Sequence, residues 1–396
     1  MKIAFIDFIL DPAKPGASGL SDIVWNMARE LAKLGDDVHI VGPYTVEPQP
    51  VPGVTVHRFT LPPIGYRNIV GHLLIVLKAW GVARTIPNLD VIHAPEYLST
   101  GLVAPLSRIP VVLTTPGNIY ERIANGNPYD WYTTQVYKLA ARSAARNCRL
   151  IDAISTDMAW WWTRTGAEKG RIAVIPHGVD TLVFRRMPNA RQALGLHPET
   201  KLILYVGRLS PEKRIDVLLH AVSQIAVSHC DAELAILGGG PQQRQLDTLA
   251  ASLGIRDRVT FHGGLPQSQL PLWYSAADAV VLPSKSEGLP RVMLEAMACG
   301  AVFFGTEISG VIDHIQDGEN GFLAKPGDPA MLARQLSRVL SDAGLGRRIG
   351  MNAEGYIRAH LSWPTVVRAF RDTVTRSLNA DDEARPLVKT GPAVQS

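Results

Sequence analysis

Leu202-Ile203-Leu204-Tyr205-Val206-Gly207-Arg208-Leu209-Ser210-Pro211-Glu212-Lys213-Arg214 reads as a buried strand, a tight turn and the opening of a helix. An apolar run without alternation is the pattern of a strand covered on both faces. Gly207 permits a sharp turn, Ser210 offers a cap and Pro211 suits a first helical position. The same unit recurs outward from this stretch. Downstream, strands are expected at 234–237, 259–261, 279–282 and 302–304, with helices from Pro211, from Gln242, over 269–276 and from Pro290. Upstream, strands are expected at 3–6, 38–41, 54–58, 91–93, 111–114, 150–154 and 172–175. A helix over 21–34 carries Ile23, Val24, Met27 and Leu31 at helical spacing and ends at Gly35. Strands alternating with helices imply α/β architecture: two Rossmann-like, doubly wound parallel-sheet domains facing across a cleft.

Residues 175–182 turn loop-like, so the first domain is assigned to 1–180 and the second to 181–360. Ser362 and Pro364 open a last helix over about 361–379, expected to pack back on the first domain, and 380–396 is expected not to fold. At 396 residues the chain exceeds what one core usually serves, which agrees with two domains. The charge of +4 is too mild and unclustered to indicate nucleic acid as a partner. Cys148, Cys230 and Cys299 are sparse and widely separated, which suits reduced thiols in the cytoplasm. The apolar start at 1–10 is expected to be a buried strand and not a leader peptide. The longest apolar stretch, 69–80, contains His72 and Lys78 and is too short to span a bilayer.

The strongest chemical feature is Ser286-Glu287-Gly288-Leu289-Pro290-Arg291-Val292-Met293-Leu294-Glu295-Ala296-Met297-Ala298-Cys299-Gly300. If the helix begins at Pro290, Glu287 lies in the loop before it, and Glu295 lies about 7 Å along the axis. Gly288, Leu289 and Arg291 then supply the free N–H groups of that helix start, since Pro290 has none. Carboxylates beside such a start accept paired hydrogen bonds from vicinal hydroxyls. Two surface glutamates are the plain alternative, but Glu295 sits inside an apolar run, where a carboxylate needs partners. Arg208 and Lys213 flank the other helix start, where a diphosphate finds charge and N–H groups together. The chain has no Gly-x-x-x-x-Gly-Lys-Ser/Thr loop and no Gly-x-Gly-x-x-Gly after its first strand. It has no Asp-x-Asp and no metal-ligand histidine spacing, so neither metal nor cofactor is expected.

These residues resemble the retaining glycosyltransferases of family 4, which have the two-Rossmann GT-B architecture. The resemblance rests on Gly207-Arg208 with Lys213, and on Glu287 and Glu295 with seven residues between them. Glu295-Ala296-Met297-Ala298-Cys299-Gly300, Ala277-Asp278 before 280–284, and Ile175-Pro176-His177-Gly178-Val179-Asp180 add to it. Order and spacing agree over about 150–321, and more loosely through Gly16 to Gly19 and the helix that follows.

The resemblance implies a cytoplasmic enzyme that moves a hexosyl unit, with retention, from a UDP- or GDP-linked sugar to a sugar, lipid or small-molecule acceptor. Arg208 and Lys213 would neutralise the donor diphosphate and the departing nucleotide. Glu295 would bind the ribose, while Glu287 with the backbone of Gly288 and Leu289 would hold the transferred sugar. Gly19 would let backbone approach the diphosphate or acceptor, and backbone near 262–265, including Gly264 and Leu265, would meet the base. Closure would occur about a hinge near 177–182. Many relatives carry a His after the strand ending Val112-Leu113-Thr114, whereas this chain reads Thr115-Pro116-Gly117-Asn118. That contact therefore falls to Thr115, Asn118 or His93, with His93 expected to open into the cleft, although a structural histidine is the plainer reading. Two other functions keep to the same layout: a nucleotide-sugar epimerase, and a non-catalytic nucleotide-sugar-binding protein.

Two segments have surface readings. Trp160-Trp161-Trp162 suits a membrane-interface or acceptor surface, although successive helical residues face different ways and at least one belongs in the core. Lys138, Arg142, Arg146 and Arg149 recur near helical spacing, as a solvated face or a peripheral contact with anionic lipid.

Overall fold

The computed structural model describes residues 1–7, 19–44, 46, 48–60, 69–115 and 131–379. The chain divides into two compact units, one of Met1–His177 joined by the segment from Trp363 onward, the other of Gly178–Ser362.

The first unit is built on a seven-stranded parallel sheet. Its strands are β1 (Lys2–Ile6), β2 (Asp37–Gly42), β3 (Val54–Arg58), β4 (Val91–Ala94), β5 (Val111–Thr115), β6 (Leu150–Ala153) and β7 (Ile172–Val174), in the order β3-β2-β1-β4-β5-β6-β7. Its helices are α1 (Gly19–Lys33), α2 (Ile69–Ala83), α3 (Tyr97–Val103), α4 (Trp131–Asn147) and α5 (Thr156–Thr165). Alternate strand residues serve opposite faces. Ile3 and Phe5 join Val24, Ala28 and Leu31 of α1, whereas Ala4 and Ile6 join Ile75, Val76 and Ala79 of α2. Further along the sheet, Val111, Leu113 and Ile151 pack with Ala140, Ala141 and Ala144 of α4 and with Trp162 of α5.

The second unit carries a six-stranded parallel sheet of β8 (Lys201–Val206), β9 (Ala232–Leu237), β10 (Val259–Gly263), β11 (Ala279–Leu282), β12 (Phe303–Thr306) and β13 (Phe322–Ala324). The order is β10-β9-β8-β11-β12-β13. Its helices are α6 (Ala190–Ala193), α7 (Ile215–Ile225), α8 (Gln243–Ser252), α9 (Leu270–Ala276), α10 (Arg291–Ala298), α11 (Pro329–Ser341) and α12 (Ala343–Tyr356). The last helix, α13 (Trp363–Asn379), belongs to the first unit. Val366, Phe370 and Val374 enter that unit's core beside Ile3 and Phe5. Asp36 receives both the N-terminal ammonium, at 2.9 Å, and Arg371 of α13, at 2.7 Å.

Both sheets are α/β and doubly wound, as the alternation of apolar runs predicts. Two helix starts differ from expectation. Pro290 does not begin its helix: with ψ at 116° it is extended, and its carbonyl accepts the first helical bond, from Met293 N. Proline fixes only φ, so its ψ is set by the loop before it. Pro211 opens a single 3₁₀ turn, Pro211–Lys213, which Arg214 ends in the left-handed conformation with φ at 49°. The helix proper therefore starts at Ile215.

Candidate active site

In an open parallel sheet, ligands collect where the strand order reverses, beyond the carboxyl ends of the strands. In the second unit this point lies between β8 and β11. The loops that follow these two strands carry the charged residues singled out above.

After β8, Gly207 takes φ of 152° and the chain bends across the end of β9. The two loops pack backbone to backbone: Leu209 N donates to Gly239 O at 3.0 Å, and a Cβ on Gly238 would lie 1.9 Å from Gly207 O. The buried Tyr205 donates its hydroxyl to the carbonyl of Arg208 at 2.9 Å, fixing the peptide that carries the exposed guanidinium. Burial pushes the Tyr205 phenol well above its ordinary range, so this donor stays protonated.

Lys213 lies in the 3₁₀ turn and reaches the loop after β11. Its ammonium sits 2.5 Å from Oε1 of Glu287, both side chains being largely buried. The same oxygen accepts from Ser284 Oγ at 2.7 Å, and the carbonyl of the buried Ser284 accepts in turn from Thr306 Oγ1. Lys285 N donates to Glu212 O at 2.8 Å, a second tie between the two loops. Gly288 and Leu289 follow directly. A Cβ on Gly310 would come 1.8 Å from Gly288 O, and Gly310 has φ of 75°, so the loop after β12 is pressed against this backbone.

Glu295 occupies the second turn of α10 and is only 6% exposed. Its Oε2 accepts from the Tyr274 hydroxyl at 3.0 Å, and Arg291, one turn back, lies 3.6 Å from Oε1. Burial, then the charge of Glu295, holds the Tyr274 phenol far above its ordinary pKa. Gly264 and Leu265 follow β10, where Gly263 O accepts from Gly238 N at 2.7 Å. His262, just before them, packs its ring on Trp273 with centroids 4.6 Å apart. Arg208, Lys213, Glu287 and the backbone of Gly288 and Leu289 thus gather at the two loops flanking the switch point. Glu295 is carried by the helix that follows β11, and Gly264 and Leu265 stand at the end of the edge strand β10.

In the first unit the reversal lies between β1 and β4. Gly19 is the first residue of α1. His93 does not open outward. It is fully buried, its ring 4.7 Å from Phe5 and 5.5 Å from Phe370 of α13, and Nε2 pairs with Thr114 Oγ1 at 2.7 Å. Burial, followed by the neighbouring His177, lowers its pKa to about 3, so the ring is neutral. The cause is register: His93 lies two residues beyond Val91, on the face covered by α1 and α13. Thr115 is also buried, its hydroxyl accepting from Trp162 Nε1 at 3.0 Å. Asn118 and Gly16 lie outside the described residues. Of the three tryptophans, Trp162 is core and Trp160 is exposed beneath the Arg164 guanidinium.

Sequence reasoning missed Tyr205, Tyr274, Ser284 and Gly310. Ser284 stands three residues before Glu287, and Gly238-Gly239-Gly240 closes a strand; these were local signals. The pairing of Tyr274 with Glu295 spans two helices and leaves none. No group of three or more His, Cys, Asp or Glu among the described residues is arranged to hold a metal ion.

Both halves of the chain resemble known proteins. The profile described as "Glycosyl transferases group 1" matches residues 187–356, and "Glycosyltransferase Family 4" matches residues 17–182. A D-inositol 3-phosphate glycosyltransferase from Frankia alni is 31% identical over 93% of this chain and 97% of its own length. Among solved structures, sucrose-phosphate synthase from Thermosynechococcus elongatus superposes with a TM-score of 0.80, at 24% identity, over 96% of this chain and 100% of the other. Anabaena HepE, solved with UDP and glucose, gives 0.74 at 21% identity over 95% and 99%.

Proposed function

The chain belongs to the group 1 glycosyl transferases, family 4, with the GT-B fold, and on that premise we propose that it transfers a hexosyl unit from a nucleoside diphosphate sugar to a hydroxyl acceptor with retention. The donor is UDP- or GDP-linked, and the acceptor is a sugar, a lipid-linked sugar or a small molecule. The observation that carries this reading is the pairing of Lys213 with Glu287 across the switch point of the second sheet. HepE, which has the same fold, was solved with UDP and glucose.

In this reading the diphosphate lies at the loop after β8, where Arg208 and Lys213 oppose its charge. As the glycosidic bond breaks, negative charge grows on the departing phosphate, and fixed cations there lower the barrier. Glu295, oriented by Tyr274, accepts hydrogen bonds from the ribose hydroxyls. Glu287, already accepting from Ser284, accepts from hydroxyls of the transferred sugar, and the N–H groups of Gly288 and Leu289 face the same group. Gly19 opens α1 at the first unit's reversal and offers backbone N–H to the diphosphate or the acceptor. The backbone of Gly264 and Leu265 meets the base. The chain's own two cations do the work at the phosphate, so turnover is expected to need neither cofactor nor divalent metal and to survive a chelator.

A thermal-shift panel of nucleotide sugars tests the reading. The preferred donor at 100 times its Kd stabilises the protein by about 2.7 kcal/mol. A flat response to every UDP- and GDP-sugar contradicts it.

A further inference from the structure

Three neighbouring helices over one face of the first unit carry charge of a single sign, while α5 beside them has both Asp157 and Arg164. Helices α2, α3 and α4, and the turn Ala104–Leu106 after α3, contain no Asp or Glu, and they contribute Lys78, Lys138, Arg142 and Arg146. The opposite face is mixed: α1 carries Asp22 and Glu30 beside Arg29 and Lys33. Water-facing helices ordinarily intersperse both signs.

Helices α3 and α4 cross on this face at very short range. A Cβ on Gly101 would fall 2.0 Å from the carbonyl oxygen of Ala140, and Ser143 Oγ donates to Gly101 O. Leu102 and Leu139, each next to a residue of that crossing, are 46% and 65% exposed, and Leu106 in the following turn is 66% exposed. Single exposed leucines are ordinary, but three beside one crossing are not scattered. Along α4, Leu139, Arg142 and Arg146 form the exposed stripe, while Ala140, Ala141, Ala144 and Ala145 are buried in the core. Arg149 leaves the stripe and donates to Ser377 O.

We propose that this face docks on an anionic lipid surface, with Leu102, Leu106 and Leu139 entering the headgroup boundary and Arg142 and Arg146 pairing with lipid phosphates. Apolar side chains beside basic ones, with no carboxylate on the same helices, match the two terms of interfacial binding. A nucleic acid would use the arginines but would gain nothing from three leucines held in water. The patch lies where α3 and α4 run back toward the starts of β5 and β6, so docking leaves the loops after β1 and β4 clear.

Flotation of the full-length protein with vesicles tests this, and it is independent of donor chemistry. Vesicles of phosphatidylcholine with phosphatidylglycerol are expected to carry the protein up, while pure phosphatidylcholine does not, and added salt weakens the binding. Arg142→Gln and Arg146→Gln each lower the vesicle affinity about fivefold. Leu102→Ser with Leu139→Ser lowers it further, at an unchanged melting temperature. No flotation with anionic vesicles, equal flotation with neutral ones, or variants that bind like the wild type overturn the proposal. Tight binding to an RNA or DNA duplex that ignores the leucine changes, without vesicle binding, overturns it as well.

Discussion

Lys213 and Glu287 sit on either side of the strand-order reversal in the second sheet, and their side chains meet there at 2.5 Å. The contact joins the loop after β8 to the loop after β11, and Ser284 holds the carboxylate from a third direction. In the proposed function, a diphosphate arriving at Arg208 competes with Glu287 for the Lys213 ammonium and leaves the glutamate free to accept from sugar hydroxyls. Lys213→Ala therefore lowers kcat by roughly 10²–10³-fold, the range for removing a group that stabilises developing charge. Glu287→Gln lowers turnover by about a hundredfold, through misplacement of the sugar, while binding of the free nucleoside diphosphate is kept. Steady-state release of nucleoside diphosphate measures the first, and calorimetry with UDP or GDP the second.

Tyr274 supplies a hydrogen bond to a carboxylate that is almost out of water. Tyr274→Phe removes the donor and leaves the charge, at a cost of about 2 kcal/mol in unfolding free energy. The Kd for nucleotide rises with it, because Glu295 loses its orientation. Denaturant unfolding and nucleotide titration of one variant check both effects.

Gly310 has no room for a side chain: φ is 75° and the carbonyl of Gly288 would lie 1.8 Å from its Cβ. Gly310→Ala pushes the Gly288–Leu289 backbone away and adds strain, destabilising the protein by roughly 1–3 kcal/mol. The donor KM rises as well, since in the proposed reading those N–H groups hold the sugar. A variant with wild-type stability and KM would contradict this tight packing.

His93, Thr114 and Asp152 form a buried row across β4, β5 and β6, with Thr114 donating to Asp152 at 2.8 Å. Burial raises the Asp152 pKa to about 7 from 3.8, against the lowering effect of Thr114. Below pH 4 the carboxyl is protonated in the folded and the unfolded state and costs nothing. Between about pH 4 and pH 7 the unfolded chain releases a proton that the folded one keeps, so stability falls as pH rises. Asp152→Asn abolishes this fall, on the order of 4 kcal/mol across the window. His93 acts in the other direction: its pKa is held near 3, so stability falls as pH drops below about 6.5. Urea unfolding of the wild type and Asp152→Asn at pH 4, 5.5 and 7.5 checks both signs.

Much of the fold was legible because both sheets are parallel and covered on two faces, which makes their strands short apolar runs. Residues 54–58 and 279–282 form strands with the expected ends. The helix starts were less legible: Pro211 and Pro290 restrict φ but leave ψ to the neighbouring loop. The pairing of apolar runs with helices also passed over β13 and α11, which follow the last strand expected. Within the candidate site, the charged residues of the second unit announced themselves through spacing, and the fold brings Lys213 and Glu287 into contact. Their supports did not, because Tyr274, Ser284 and Gly310 act through contacts that only the folded chain creates. His93 shows both sides. Its place at a strand end suggested an outward ring, whereas the plainer reading, a structural histidine, is what strand register produces in the core.

Titration of nucleoside diphosphate sugars into the wild type, Glu295→Ala and Glu287→Ala tests the central claim most directly. The account predicts that at least one UDP- or GDP-sugar saturates the wild type and that Glu295→Ala weakens it about tenfold or more, about 1.4 kcal/mol. Glu287→Ala is predicted to weaken the sugar nucleotide while leaving the free nucleoside diphosphate unchanged. A protein that binds no such donor, or binds one equally well without Glu295 and without Glu287, would contradict it.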